Sequence, residues 1–350
     1  MVSKKLSTES YKGVRDFFPE EMRLQKHIFS VMRESVELYG YEEYNASILE
    51  PAELYEAKSG EEIVKEQTYT FTDRGGRKVT LRPEMTPTVA RMIASRSKSM
   101  PLPARWYSIP NLFRYEQPQK GRLREHFQLN VDLFGVKDIS GDIEIISLAH
   151  FLMQAYGAKQ SDYVIKINNR KITESLYKHY GIAEEEAYKL SKLIDKKNKI
   201  SADTFDTGLE LLVPKKASEF KAVLSSNKVV IETLGEDNEG VIELLQTIEG
   251  LKKLGIENVI FDQTLMRGFD YYTGIVFEIF DTHPDNMRSL FGGGRYDDLI
   301  DLFGGKDMPA VGFGTGDVTI KDFLEIHNLL PNLEKKADVY IVRPDKTSII

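Results

Sequence analysis

Residues 111–134 read NLFRYEQPQKGRLREHFQLNVDLF. Two strand-like runs, Trp106 to Tyr115 and His126 to Phe134, bracket the polar loop QPQKGRLRE, and this spacing predicts an antiparallel pair. In the second run Phe127, Leu129, Val131 and Leu133 share one face, and Gln128, Asn130 and Asp132 the other, as the two-residue period of a strand requires. One face suits a core, and the other suits water or a ligand. Arg114 on the first strand, followed by a loop with Lys120, Arg122 and Arg124, suits phosphate oxygens, which a guanidinium meets through paired donors.

Upstream, Thr68 to Thr72 and Lys78 to Arg82 flank Asp73-Arg74-Gly75-Gly76, the pattern of a hairpin and its turn. That hairpin runs into Leu81-Arg82-Pro83-Glu84-Met85-Thr86, where acid and hydroxyl groups are suited to hold an ammonium. Further upstream a helix is expected to start at Pro19, with Glu20 and Glu21 at the positive end of its dipole. Met22, Phe29, Met32, Val36 and Tyr39 recur along it at helical spacing, and Gly40 stops it.

Downstream, from about Lys171 to Leu254, charge rises and helical stretches such as EEEAYKLSKLIDKKNK dominate. This reads as a helical module inserted into a larger sheet domain. Its Lys189, Lys192, Lys196, Lys197 and Lys199 form a basic stripe, a pattern more often a solvated helix face than an RNA contact. Strand character returns in GIVFEIF; then come a glycine-rich turn at GGGRY, the run PAVGFGTGD and a helix from about Val318 to His327. ADVYIV, from Ala337, reads as the opening strand of a further domain. A third chemical cluster, Arg267-Gly268-Phe269-Asp270-Tyr271-Tyr272-Thr273-Gly274, is followed by Gly292-Gly293-Gly294-Arg295-Tyr296-Asp297.

Composition narrows the classes. The chain has 350 residues, enough for two or three domains at roughly one per 150 residues. With 41% hydrophobic and 29% charged residues it is an ordinary globular sequence. No apolar run approaches the ~18 residues of a membrane span, so no membrane association is expected. Zero cysteines exclude disulfides, thiolate nucleophiles and cysteine-based zinc sites. The six histidines are scattered, and no protein-held metal is expected. A net charge of −7 argues against a surface coated for nucleic acid and confines any such contact to a small face. Walker and dinucleotide-binding glycine motifs are absent from the sequence. A cytoplasmic protein is the plain expectation.

Taken together the clusters resemble the histidyl-tRNA synthetases, a family of class II aminoacyl-tRNA synthetases, from Lys12 to about Asp317. KGVRDFFPEE is similar to the family's N-terminal segment and DRGGRKVTLRPEMT to its amino-acid-binding hairpin. NLFRYEQPQKGRLREHFQ resembles class II motif 2, and RGFDYYTG and GGGRYDDL the two histidine-specific segments.

The resemblance implies an α+β fold: a six-stranded antiparallel sheet flanked by helices, assigned to residues 1–170 and 255–332. It also implies a helical insertion over 171–254, the start of an anticodon-binding domain over 333–350, and a homodimer. The activity implied is formation of histidyl-adenylate from histidine and ATP with Mg²⁺, then transfer to histidine tRNA. Glu84 and Thr86 match positions that bind the substrate α-amino group, and Gln128 lines the same pocket. Asp132 and Tyr272, with the neighbouring Tyr271, match positions around the imidazole; many relatives have Glu in place of Asp132. Arg114 and Arg267 match the two arginines on the ATP α-phosphate, and Glu116 the acid near the adenine. Arg122 and Arg124 of the motif 2 loop are expected to meet tRNA. Motif 3 usually ends in an arginine on the ATP γ-phosphate, whereas here Gly316-Asp317-Val318-Thr319 supplies none. The rival reading is the regulatory subunit of ATP phosphoribosyltransferase, which resembles the same core without catalysing aminoacylation.

Overall fold

The computed structural model describes residues 6–56, 67–119, 121–197, 200–266, 271–304 and 308–334. Helix α1 (Pro19–Glu37) begins at the proline, with Glu20 and Glu21 in its first turn. Gln25, Ile28, Met32, Ser35 and Val36 form its buried face, so Met22 and Phe29 lie at the border of the stripe rather than at its centre. After β1 (Glu42–Glu43), β2 (Leu49–Pro51) and α2 (Glu53–Glu56) come the expected hairpin strands β3 (Tyr69–Thr72) and β4 (Lys78–Leu81). Asp73 closes the turn between them by accepting from the backbone of Gly75 and Arg77 at 2.8 and 2.9 Å. These strands form a small sheet in the order β2-β4-β3, and α3 (Thr86–Arg96) follows it.

The run expected as one strand from Trp106 to Tyr115 is two, β5 (Ala104–Ser108) and β6 (Asn111–Phe113). Pro110, which has no N–H to donate to a ladder, separates them. Both pair antiparallel with the long β7 (Glu125–Phe134). The chain continues through α4 (Ser140–Ala155), β8 (Tyr163–Asn169) and α5 (Arg170–Tyr180) to α6 (Glu184–Asp195), α7 (Ala202–Leu212) and α8 (Ala217–Val223). It then passes through α9 (Asn227–Leu234) and α10 (Glu239–Lys253) to β9 (Val259–Phe261), β10 (Ile275–Asp281), β11 (Ser289–Arg295), β12 (Ala310–Gly316) and α11 (Asp317–Ile326).

The main sheet runs β1-β5-β7-β12-β11-β10-β8-β9, with β6 also on β7, nine strands among the described residues. Its six central strands, β5 to β8 in that order, are antiparallel as expected. The edge strands β1 and β9 add on in parallel. One segment departs from expectation: GGGRY is not a turn, because its glycines form the second half of β11.

The alternation in β7 sorts the two faces. Leu129, Val131 and Leu133 join Ile165, Ile167, Phe277, Val311 and Phe313 in a core with α1, α4 and α11. The opposite face carries a second core, built from Val89, Ala90 and Ile93 of α3 with Tyr271, Tyr272, Val276 and Tyr296. Helices α5 to α10 occupy the interval between β8 and β9, and they divide between two cores. Ile172, Leu176, Val230, Val241, Leu244 and Leu251 of α5, α9 and α10 belong to the main core. Leu190, Ile194, Phe205, Leu209 and Phe220 of α6 to α8 close on one another, with Tyr177 and Met266 at their margin.

Candidate active site

The polar face of β7 supplies the floor of a pocket lined by Glu84, Thr86, Gln128, Asn130, Asp132, Tyr271, Tyr272 and Tyr296, with Gly312 and Gly314 of β12 beside them. The glycines are there because β12 is the neighbour of β7 in the sheet and the β7 side chains lean over it. A Cβ on Gly312 would come within 2.4 Å of the Val131 carbonyl oxygen and 2.5 Å of Asp132 Oδ1. One on Gly314 would meet Gln128 Nε2 at 2.4 Å. Every substrate-side residue named from the sequence, Glu84, Thr86, Gln128, Asp132, Tyr271 and Tyr272, is in this one cavity.

The pocket holds two buried carboxylates, each tied to its own tyrosine. Asp132 accepts from the hydroxyl of Tyr296 and from Asn130 Nδ2, and Gln128 Nε2 in turn donates to Asn130 Oδ1 at 3.2 Å. Burial raises the Asp132 carboxyl to about 7, against the pull of those two hydrogen bonds. Glu84 lies 3.2 Å from the hydroxyl of Tyr271, which is also 3.4 Å from Thr86 Oγ1. Burial, then the charge of Glu84, holds that phenol protonated well above its ordinary range, so it stays a donor. Such a site suits a ligand that presents N–H donors at more than one point.

Asn130 and Tyr296 were missing from the residues chosen by sequence, although each carried a signal. Asn130 shares the face of Gln128 and Asp132, and Tyr296 lies in the GGGRYDDL segment. Tyr296 is held in place by its neighbour Arg295, whose Nε donates to the buried Asp142 at 3.0 Å.

Beside the pocket, Arg114 donates through Nε to the carbonyl of Pro83 at 2.9 Å, which places it next to Glu84 in the chain. Glu116 pairs with Arg122 at 3.6 Å. Arg124 is not available for a partner outside the chain, contrary to expectation. It is buried, stacks 4.0 Å over the Tyr115 ring, and donates to the Glu116 carbonyl and the Tyr11 hydroxyl. Arg122 remains exposed. In the lysine stripe, Lys189 pairs with Glu185 at 2.7 Å and Lys197 reaches the Leu224 carbonyl at 3.3 Å. Asp317, the first residue of α11, is buried and accepts from Arg15 Nη2 at 2.8 Å and from the Phe127 amide at 3.0 Å. Arg267, Lys120, Lys199 and the ADVYIV run lie outside the described residues.

A family model described as histidyl-tRNA synthetase matches residues 13–317. The chain belongs to the histidyl-tRNA synthetase family. Among curated relatives it is 47% identical to the histidine–tRNA ligase of Leptospira biflexa over 99% of this chain and 81% of that one. It is 40% identical to the ligase of Thermoplasma volcanium over 97% and 79%. A solved structure titled as an ATP phosphoribosyltransferase regulatory subunit/histidyl-tRNA synthetase from Bacillus halodurans superposes with a TM-score of 0.80 at 27% identity, covering 95% of this chain and 85% of that one. A histidyl-tRNA synthetase from a Nostoc species has the same fold, with a TM-score of 0.79 at 24% identity over 93% and 77%.

Proposed function

We propose that the chain is a histidine–tRNA ligase, which makes histidyl-adenylate from histidine and ATP and passes the histidyl group to histidine tRNA. The observation that carries this reading is the meeting of Glu84, Thr86, Gln128, Asp132, Tyr271 and Tyr272 in one pocket, beside the backbone-anchored Arg114. Glu84 and Thr86 hold the α-ammonium of histidine, and Asp132 and Tyr272 face the imidazole. Arg114 and Arg267 take the α-phosphate, with Glu116 near the adenine. ATP enters as its Mg²⁺ complex; among the described residues no group of acidic or histidine side chains forms a metal site of its own.

The substrate carboxylate attacks the α-phosphorus in line, and the bond to the leaving pyrophosphate breaks. Charge gathers on the non-bridging oxygens, so the protein's part is positioning and fixed positive charge. A terminal ribose hydroxyl of the tRNA then attacks the carbonyl carbon, and AMP leaves. No enzyme nucleophile is required, in keeping with a chain that has no cysteine. A site built to hydrogen-bond an imidazole rejects apolar analogues by roughly 10⁴–10⁵.

A homodimer and a cytoplasmic location belong to the same reading. Among the described residues no helix is long and apolar enough to cross a membrane.

Pyrophosphate exchange into ATP, run with each amino acid in turn, tests the proposal. Exchange with histidine alone, followed by charging of histidine tRNA, is the expected outcome. Histidine binding in calorimetry without any exchange would instead favour the regulatory-subunit reading.

A further inference from the structure

The arginine expected after Gly316 is absent, and Thr319 at that place spends its hydroxyl on the Gly316 carbonyl at 3.1 Å. A guanidinium nevertheless stands at this helix start, delivered from 302 residues away in the chain. Arg15 Nη2 contacts Asp317 Oδ2 at 2.8 Å, and its guanidinium carbon lies 4.9 Å over the Phe17 ring. Asp317 is itself fixed by the Phe127 amide and, at 3.4 Å, by Gln25 Nε2. The arginine is thus held at one nitrogen and one face. Its Nε is buried with no hydrogen-bond partner among the described residues, while 24% of the side chain stays open to solvent.

Arg114 is in a similar condition. Its Nε is satisfied by Pro83, and it makes no ion pair among the described residues. The two arginines approach the same stretch of β7 from its two neighbours. Arg114 follows β6, whose Phe113 pairs with Glu125, and Arg15 hangs on Asp317, which is bonded to Phe127. His126 lies between them, and burial, then Arg114 and Arg15, push its imidazole down to about 3. That ring is therefore neutral at working pH and adds no third charge. Two guanidinium groups with donors to spare around a neutral ring form a site for a ligand with several negative charges. It lies directly beside Gln128, which lines the histidine pocket and pairs with Gly316.

We propose that Arg15 binds the phosphates of ATP beyond the α-phosphate, and that Asp317 is the residue positioning it. The charge missing at Thr319 is then supplied by the N-terminal segment KGVRDFF through an ion pair. This inference rests on the ligase reading for the identity of the polyphosphate as ATP.

The test measures binding of MgATP and of adenosine to the full chain by calorimetry, beside histidine-dependent pyrophosphate exchange. Arg15→Ala is expected to weaken MgATP binding by about 30- to 100-fold, leave adenosine binding within about twofold, and leave the KM for histidine unchanged. Arg15→Lys should recover part of the loss, and Asp317→Asn should weaken MgATP by about tenfold with adenosine again unaffected. Arg15→Ala leaves the Asp317 carboxylate buried without its partner, so the double variant Arg15→Ala/Asp317→Asn serves as the folded control, checked by its melting curve. MgATP affinity in that folded variant within about twofold of the parent, or adenosine and MgATP weakening in parallel, would overturn the proposal. If the parent chain shows no exchange yet these binding differences hold, the ligase reading fails and the role of Arg15 stands.

Discussion

Asp132 shows how a residue's chemistry and its contribution to stability pull apart. Burial raises its folded carboxyl to about 7, well above the ~3.9 of an unfolded aspartate. The folded chain therefore binds this proton more tightly than the unfolded chain. Stability from this group is greatest below pH ~4, falls as pH rises, and levels off above about 7, at roughly 1.4 kcal/mol per unit of pKa difference. Asp132→Asn removes that dependence. One of its two partners, Asn130 or Tyr296, would then face an amide donor instead of an acceptor, a cost that does not vary with pH, so the diagnostic is the slope. Urea melts at pH 5 and pH 8 should show the variant gaining on the parent by roughly 2–3 kcal/mol across that interval. Histidine affinity should fall in the same variant. Parallel stability curves would show that Asp132 is not held near 7. The sequence made Asp132 legible through the alternation of β7, whereas its partner Tyr296 is 164 residues away. Their meeting depends on the register of β7 on β12 and of β12 on β11, where Asp132 lies opposite Gly312 and Gly312 opposite Gly294. No local pattern in one sequence encodes that register.

At the scale of elements, β11 and β12 show why a glycine run can belong to a strand and not a turn. Glycine usually signals freedom of backbone, but in these strands it signals lack of room. A Cβ on Gly293 would lie 1.9 Å from the Gly312 carbonyl oxygen and 2.6 Å from Phe313 Cα, both backbone atoms that cannot step aside. A Cβ on Gly314 would first meet the end of the Gln128 side chain, at 2.4 Å from Nε2, and that side chain can rotate away. The two substitutions should therefore diverge. Gly293→Ala is expected to destabilise the fold by more than about 3 kcal/mol, because it forces two central strands apart. Gly314→Ala should lose no more than about 1 kcal/mol yet raise the histidine KM about tenfold or more by displacing Gln128 from the pocket. Thermal melts and exchange kinetics on both proteins check this; equal stability losses would mean that the strands relax where the geometry says they are blocked. The hairpin β3–β4, the strand β7 and the helices α1 and α11 were readable because each depends on local periodicity and turn chemistry. The division of β5 from β6 is legible too, in the donor that Pro110 lacks.

Across the whole molecule, the cores differ in what they support. The pocket is built on the main sheet and the α3 side, while α6 to α8 close on a separate set: Leu190, Ile194, Phe205, Leu209 and Phe220. Phe220 is fully buried there, with its ring 5.2 Å from Tyr180 and 6.3 Å from Tyr177. Those two tyrosines are on and at the end of α5, which also places Ile172 and Leu176 in the main core. So α5 is the shared wall, and α6 to α8 have few other apolar ties to the sheet apart from Val223 of α8, which lies in the main core. A unit of this kind opens on its own before the whole chain unfolds. Native-state hydrogen exchange in rising denaturant should therefore place the amides of α6 and α7 on an isotherm below that of the six central strands. Phe220→Ala should lower that isotherm by roughly 3–5 kcal/mol, or to full local opening if less is available, from lost burial and the cavity left behind. The strands should move by no more than about 0.5 kcal/mol, and histidine binding should persist, because no residue of this core lines the pocket. Met266 gives the opposite possibility a definite signature. It belongs to the same core and lies 3.9 Å through its sulfur from Thr173 Oγ1, one residue before Arg267. If opening α6 to α8 frees Met266, the variant should keep its histidine affinity and lose turnover in pyrophosphate exchange. Strand amides falling together with those of α6 and α7 would show that α5 binds the cores into one cooperative unit.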